Sequence, residues 1–172
     1  GQPLKMDHCL IDALRTVLLD ECLDQAMVAQ MLSLPGEAYL TEVSEVADVD
    51  AIHAAREFAR NQLADNLHEM LWLRYRDNRQ LSKKTPYVAE SEHFARRALQ
   101  NITLSYLMLS GKTEMLEAAL EQFYTSDNMT ERMTALAVLV DSSFETEKDQ
   151  ALAVFAENFR DNQIVMDKWF SV

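Results

Sequence analysis

Apolar residues recur along this chain at intervals of three and four, the spacing that lines one face of an α-helix. From Met6 to Leu23 they fall at Leu10, Leu14, Val17 and Leu18, with Ile11 and Leu19 beside them, which predicts a first helix. Asp24 offers an N-cap for a second, short helix carrying Ala26, Val28, Met31 and Leu32. Leu34-Pro35-Gly36 closes it, and a third short piece follows over Glu37 to Val43. Asp48 then caps the longest predicted element, which runs to about Asn78 with Ile52, Ala55, Ala59, Leu63, Leu67 and Met70 on one face. At 1.5 Å per residue it measures roughly 45 Å.

The pattern breaks over 79–87, beginning Arg79-Gln-Leu-Ser-Lys-Lys-Thr-Pro86, the clearest predicted loop. Apolar helical faces on both sides need each other for burial, so it reads as a connection and not a domain boundary. The stripe resumes at Ala95, Leu99, Ile102, Tyr106 and Leu109, and Gly111 stands where a helix C-cap favours a left-handed residue. Thr113 opens the next helix, with Leu116, Leu120 and Phe123. Asn128 with Glu131 three residues on predicts a capping box ahead of Met133, Leu136, Ala137 and Val140, and a last stripe follows at Leu152, Phe155 and Phe159. Arg97-Ala98-Leu99 recurs loosely as Arg132-Met133-Thr134, 35 positions later, and Asp127-Asn128 as Asp161-Asn162, 34 later. A period near 34 is that of a helical hairpin. The predicted fold is all-α, about eight or nine helices in antiparallel hairpins stacked as an α-α superhelix of the HEAT or armadillo kind, without the consensus residues of those repeats.

Composition supports helices. The 172 residues include only 3 Gly and 3 Pro, where average usage gives about 12 and 9, too few for a chain of tight β-turns. A formal net charge of −12 opposes general binding to nucleic acid or anionic membrane. No apolar run is long enough to span a membrane and no leader opens the chain, so the expected location is cytoplasmic. Cys9 and Cys22 lie 13 positions apart on the first predicted helix, about 20 Å of rise. That exceeds the reach of a disulfide, and they read as buried thiols of a reducing compartment. The chain begins Gly1-Gln2-Pro3 and stops at Trp169-Phe170-Ser171-Val172. Both ends read as cut from a longer polypeptide, so residues 1–172 are expected to be one helical domain or part of one.

Candidate chemistry is sparse. His68-Glu69-Met70-Leu71-Trp72 approaches the His-Glu-x-x-His of zinc proteases, in which two imidazoles four apart share a helix face and the glutamate serves as base. Trp72 occupies the second ligand position and has no lone pair for a metal. The stretch therefore reads as core packing around His68 and Glu69, and a metalloenzyme using His68 is the least favoured reading. His8, His53 and His93 stand singly, no Ser or Cys nucleophile pairs with a base on spacing, and three scattered glycines make no phosphate loop. Arg74, Arg76, Arg79, Lys83 and Lys84 with Trp72 and Tyr75 could meet nucleic acid, but in a chain this acidic they more simply complement a helix C-terminus. Most of the nine methionines fall on apolar stripes and read as core. No residue is assigned a catalytic, cofactor-binding or metal role.

Asn128 to Leu136 (Asn-Met-Thr-Glu-Arg-Met-Thr-Ala-Leu) and, more specifically, Asn162 to Phe170 (Asn-Gln-Ile-Val-Met-Asp-Lys-Trp-Phe) resemble the C-terminal region of bacterial aminopeptidase N, the zinc-dependent alanyl aminopeptidases of the M1 family. Arg96 to Asn101, and Leu18 to Glu21 with Ser33-Leu-Pro35, are similar to that family in the same order, so the resemblance covers nearly the whole chain. It implies a cytoplasmic parent that releases N-terminal residues, alanine preferred, from short peptides. Zinc ligands, general base and the Gly-x-Met-Glu-Asn anchoring motif would lie in an upstream thermolysin-like domain, and none of those motifs is in this sequence. The family's C-terminal domain is a bowl of antiparallel helices over the active site, of which this chain would be the first part.

The leading expectation is thus a non-catalytic helical cap region that walls the chamber of a zinc aminopeptidase. It would carry no cofactor of its own, the zinc being bound outside this chain. Its partners would be the catalytic domain of the same polypeptide, short peptides through that parent and, when isolated, further copies of itself across an exposed apolar patch. The alternative is a free-standing helical-repeat adaptor that binds a peptide or protein on a concave face.

Overall fold

A computed structural model describes residues 4–170, so the two chain ends expected to be cut, Gly1–Pro3 and Ser171–Val172, lie outside the described residues. Those described form nine α-helices and no strand: α1 His8–Leu19, α2 Gln25–Leu32, α3 Glu37–Val43, α4 Val49–Lys84, α5 Ser91–Leu107, α6 Thr113–Thr125, α7 Met129–Val140, α8 Glu145–Phe159 and α9 Gln163–Trp169, with a 3-10 turn at Met108–Ser110 between α5 and α6.

The first helix is shorter than expected at both ends. Asp7 caps it, its carboxylate accepting the Cys9 amide at 2.8 Å, and Arg74 of α4 closes the other end by donating to the Leu18 and Asp20 carbonyls, both at 2.8 Å. The buried face is Ile11, Leu14 and Leu18, not Leu10, which is 44% exposed. Cys9 and Cys22 are both exposed, which corrects their reading as buried thiols. Cys9 lies off the buried face, and Cys22 stands beyond the helix in the turn that Asp20 organises by accepting its amide.

The expected loop at 79–87 is a second correction. Helix α4 continues through Lys84, 36 residues in all, about 54 Å long. Arg79 to Lys84 contains no helix breaker, and Lys83 and Lys84 sit in the last turn, where cations suit the helix dipole. Pro86 disfavours the helical region for the residue before it, and Thr85 is extended. The connection to α5 is therefore 85–90.

Helix α4 packs along α5, and α5 also carries α2 and α7. With helices on several sides α5 is buried almost all round, and alongside Leu99, Leu104 and Leu107 it buries Arg97, Gln100 and Thr103. Helices α6 and α7 form one hairpin and α8 and α9 the next, with α8 against α7. The 34-residue echo in the sequence has a local cause here. Asn128 and Asn162 each cap the second helix of a hairpin, accepting the amides of Glu131 at 2.9 Å and Val165 at 3.3 Å. Gly111 ends the 3-10 turn at φ 62°, the left-handed conformation expected of it. One apolar cluster runs from Ile11 to Phe155 through α1, α2, α4, α5, α6, α7 and α8.

Candidate functional site

The largest concentration of buried polar groups lies where the last turns of α4 meet the turn joining α6 to α7. The stripe Leu67, Leu71, Tyr75 continues by helical spacing into Asn78 and Arg79, so both are carried into the interior. Arg79 is 5% exposed. Its Nε donates to Glu121 Oε2 at 2.9 Å and its Nη1 to Glu131 Oε2 at 2.9 Å, while Nη2 bonds the Thr125 hydroxyl. Lys83 adds a 2.6 Å contact to Glu121 Oε1. Burial pushes the Glu121 carboxyl up, but hydrogen bonds from Arg79 and Lys83 outweigh it and hold the group below its ordinary value of 4.5.

Glu131 does not close the expected capping box. Its amide takes the Asn128 cap, but its carboxylate turns inward to Arg79 and to the Ser126 hydroxyl at 3.0 Å. Behind it Gln122 donates to the Glu131 carbonyl at 2.9 Å and accepts from Gln100 at 2.9 Å, and Gln100 accepts from Ser82 at 3.0 Å. Tyr75 donates to the Ala118 carbonyl at 3.1 Å, and burial raises its pKa far above the usual phenol. Four helices, α4 to α7, are thereby tied by polar side chains.

A cleft of about 590 Å³ opens beside this network, its rim including Lys84, Pro86 and Asp127. Its walls carry Arg79, Lys83 and Lys84 together with Glu121, Asp127 and Glu131, so cations and carboxylates balance. Two hydroxyls on its walls donate to carboxylates, Thr125 to Glu121 at 2.9 Å and Ser126 to Glu131 at 3.0 Å, and both carboxylates are already committed to Arg79. The arrangement locks helices; it does not present an activated nucleophile.

The residues singled out in the sequence are dispersed. His68 is half-buried on α4 with its Nε2 3.1 Å from Lys112 Nζ. Desolvation first, then the nearby Lys112 charge, lowers its pKa below 6.5. Trp72 is partly buried against the core and stacks on Tyr75 with ring centroids 5.7 Å apart. Among the described residues no group of three or more His, Cys, Asp or Glu is placed to hold a metal ion, and His68 with Glu69 and Trp72 does not fit a zinc centre. His53 donates to Glu37 at 2.8 Å, His93 meets Arg96 at 2.9 Å, and His8 is exposed. The basic stretch makes no continuous patch: Arg74 caps α1, Arg79 is buried and Lys83 pairs with Glu121. Of the methionines, Met108 and Met115 are buried while Met27 and Met31 are exposed, so α2 buries Val28, Ala29 and Leu32 without Met31. No helix among the described residues is long and apolar enough to cross a membrane.

Sequence reasoning missed Gln100, Glu121 and Gln122. For Gln122 a signal existed, since it lies three residues after Ala119 and seven after Met115, on the buried face of α6.

Comparison with known proteins places these features in a family. The chain is 34% identical over 171 residues to Aminopeptidase N of Escherichia coli strain K12, covering 99% of this chain and 19% of that protein. It is 32% identical over 161 residues to Aminopeptidase N of Caulobacter vibrioides, 94% of this chain and 18% of the relative. The chain thus spans about a fifth of the length of these relatives. The crystal structure of Legionella pneumophila aminopeptidase A in complex with aspartic acid has the same fold over 99% of this chain and 21% of its own, with a TM-score of 0.79 at 22% identity. Residues 1–172 match throughout the family described as a domain of unknown function (DUF3458_C), ARM repeats, and the chain belongs to that family, the helical-repeat region found in bacterial aminopeptidase N.

Proposed function

We propose that this chain is a non-catalytic helical cap region of an M1-type zinc aminopeptidase. The observation that carries the reading is a match running the whole length of this chain yet only a fifth of the length of aminopeptidase N. The parent releases N-terminal amino acids, alanine preferred, from short peptides in the cytoplasm, and its zinc is bound outside this chain. The cap's work is mechanical: it walls the catalytic chamber and keeps folded substrates out.

Two features of the surface support docking onto another part of the same polypeptide. Tyr39, Val43, Val46 and Val49 are 59%, 60%, 82% and 58% exposed at the α3 to α4 connection. Beside them an apolar groove of about 320 Å³ is lined by Leu34, Leu40, Ile52 and Ala59. Exposed apolar surface of this kind marks an interaction face.

The test is reconstitution. The chain alone is expected to leave alanyl-arylamide unhydrolysed, and addition to a catalytic part lacking this region is expected to restore exclusion of long peptides while short-peptide turnover persists. Chelator-sensitive hydrolysis by the purified chain would overturn the non-catalytic reading. Unchanged length selectivity on addition would overturn the wall.

A further inference from the structure

A cavity of about 330 Å³ lies where the chain leaving α2 meets α4 and α5. Its charged lining is Arg56 and Arg60, one helical turn apart on α4, and its other polar walls are Ser33, Ser105 and Tyr106. Both arginines share one carboxylate, Glu57, which Arg60 Nη1 meets at 2.8 Å and Arg56 Nη1 at 3.7 Å. Arg56 Nε is spent on the Pro35 carbonyl at 3.1 Å. Two guanidiniums against one carboxylate leave a positive charge in excess, in a chain of net charge −12. Asp141, on the wall of a smaller adjoining cavity that Arg60 also lines, forms no ion pair with it. Arg60 Nε and Nη2 and Arg56 Nη2 make no hydrogen bond among the described residues, and none of them is sealed from solvent. Each side chain is 26% exposed, so these donors are open to a molecule in the cavity. Burial raises the Tyr106 phenol above its ordinary value while the Arg60 and Arg56 charges pull it down, which sets both guanidiniums near the phenol wall.

The hydroxyls decide which anion fits. Ser33 donates to the Ala29 carbonyl at 3.0 Å, Ser105 to that of Ile102 at 2.8 Å and Tyr106 to that of Leu32 at 2.6 Å. All three protons are used, so an anion finds no donors beyond the guanidiniums. A phosphate carries more oxygens than those donors can meet and would turn some toward hydroxyl lone pairs. A carboxylate has two oxygens, and the free Nε–Nη2 edge of Arg60 is a fork of matching geometry. Leu34 and Ile102 complete the lining and suit a short hydrocarbon tail. We propose that this cavity binds a small aliphatic monocarboxylate, held bidentate on Nε and Nη2 of Arg60, with Arg56 as the second cation and the tail against Leu34 and Ile102. The site stands apart from the Arg79 network and does not depend on the cap reading.

The experiment is a titration of the 172-residue chain with butyrate at constant ionic strength in chloride, followed at the arginine Nε–H signals, with phosphate and butylammonium as parallel arms. Butyrate is expected to move the Arg60 Nε–H signal saturably, with a Kd on the order of millimolar. Phosphate is expected to bind at least about threefold more weakly, and butylammonium to leave that signal in place. Variants are followed at the Ser105 and Tyr106 amides. Arg60→Gln is expected to weaken butyrate about tenfold or more, and Arg60→Lys, which keeps the charge but loses the fork, about threefold. Arg56→Gln is expected to weaken it about threefold and decides the matter should Arg60→Gln unfold the chain. Phosphate or butylammonium matching butyrate would overturn the proposal. So would the absence of saturation up to about 100 mM, or wild-type butyrate affinity in a folded variant.

Discussion

Arg79 decides more about this molecule than any other single side chain. Its guanidinium is buried between Glu121 and Glu131, and removing it leaves Glu131, 2% exposed, as an uncompensated interior charge. Arg79→Met is expected to cost about 3–5 kcal/mol, read from urea midpoints, whereas Arg79→Met with Glu131→Gln is expected to recover much of that loss. Equal losses in both variants would mean that the guanidinium acts through packing alone. Glu121 adds a pH signature. Because its folded pKa is held below 4.5, it contributes stability that is present above 4.5 and lost as pH falls through the folded value. Urea titrations across that range are therefore expected to bring wild type and Glu121→Gln together on acidification, and a constant gap would refute the linkage. None of this pairing was legible in sequence, because 42 residues separate Arg79 from Glu121 and 52 separate it from Glu131. What the sequence does hold is Arg79 on the continuation of an apolar stripe, four residues after Tyr75, a polar residue on a buried face.

At the scale of elements, local signals were read well and termination poorly. Caps act within four residues, so Asp24, Asp48 and Asn128 are found where the sequence suggests, each accepting amides of its own first turn. The end of α4 was misplaced because its last two turns are polar on the outside and buried through only a few residues, among them Asn78 and Arg79. A hydrophobic stripe that hands over to a polar network looks like a loop. Gly111 shows the opposite case, a conformation set by one residue. At φ 62° a Cβ meets no atom within 4 Å, so substitution is opposed by the backbone and not by crowding. Gly111→Ala is expected to destabilise by about 1 kcal/mol and Gly111→Asn by clearly less, since asparagine tolerates the left-handed region. Equal thermal midpoints for the alanine variant and wild type would mean that the turn relaxes at no cost.

For the whole molecule, charge and apolar surface act in opposition. A net charge of −12 disfavours contact between copies through self-repulsion, while Tyr39, Val43, Val46 and Val49 form an exposed apolar strip beside the groove at Leu40 and Ile52. The all-helical architecture followed from the spacing of apolar residues, but this strip did not, because α3 and the start of α4 carry the same helical pattern as the core elements and yet bury no residue before Leu63. Periodicity identifies an apolar face without saying what covers it. In the isolated chain a second copy is expected to cover it, and screening should favour that contact: a dimer fraction in sedimentation velocity is expected to rise between low salt and about 0.5 M salt as the Debye length shrinks below 10 Å. Tyr39→Glu with Val46→Glu is expected to abolish that fraction while leaving the melting temperature within about 2 °C, since both side chains are exposed and surface changes are usually within 0.5 kcal/mol. Ile164→Glu, at a 76% exposed residue on α9, should leave the dimer intact. A dimer that survives the double substitution, or one that dissolves with Ile164→Glu instead, would move the docking face from α3 to the far end of the repeat.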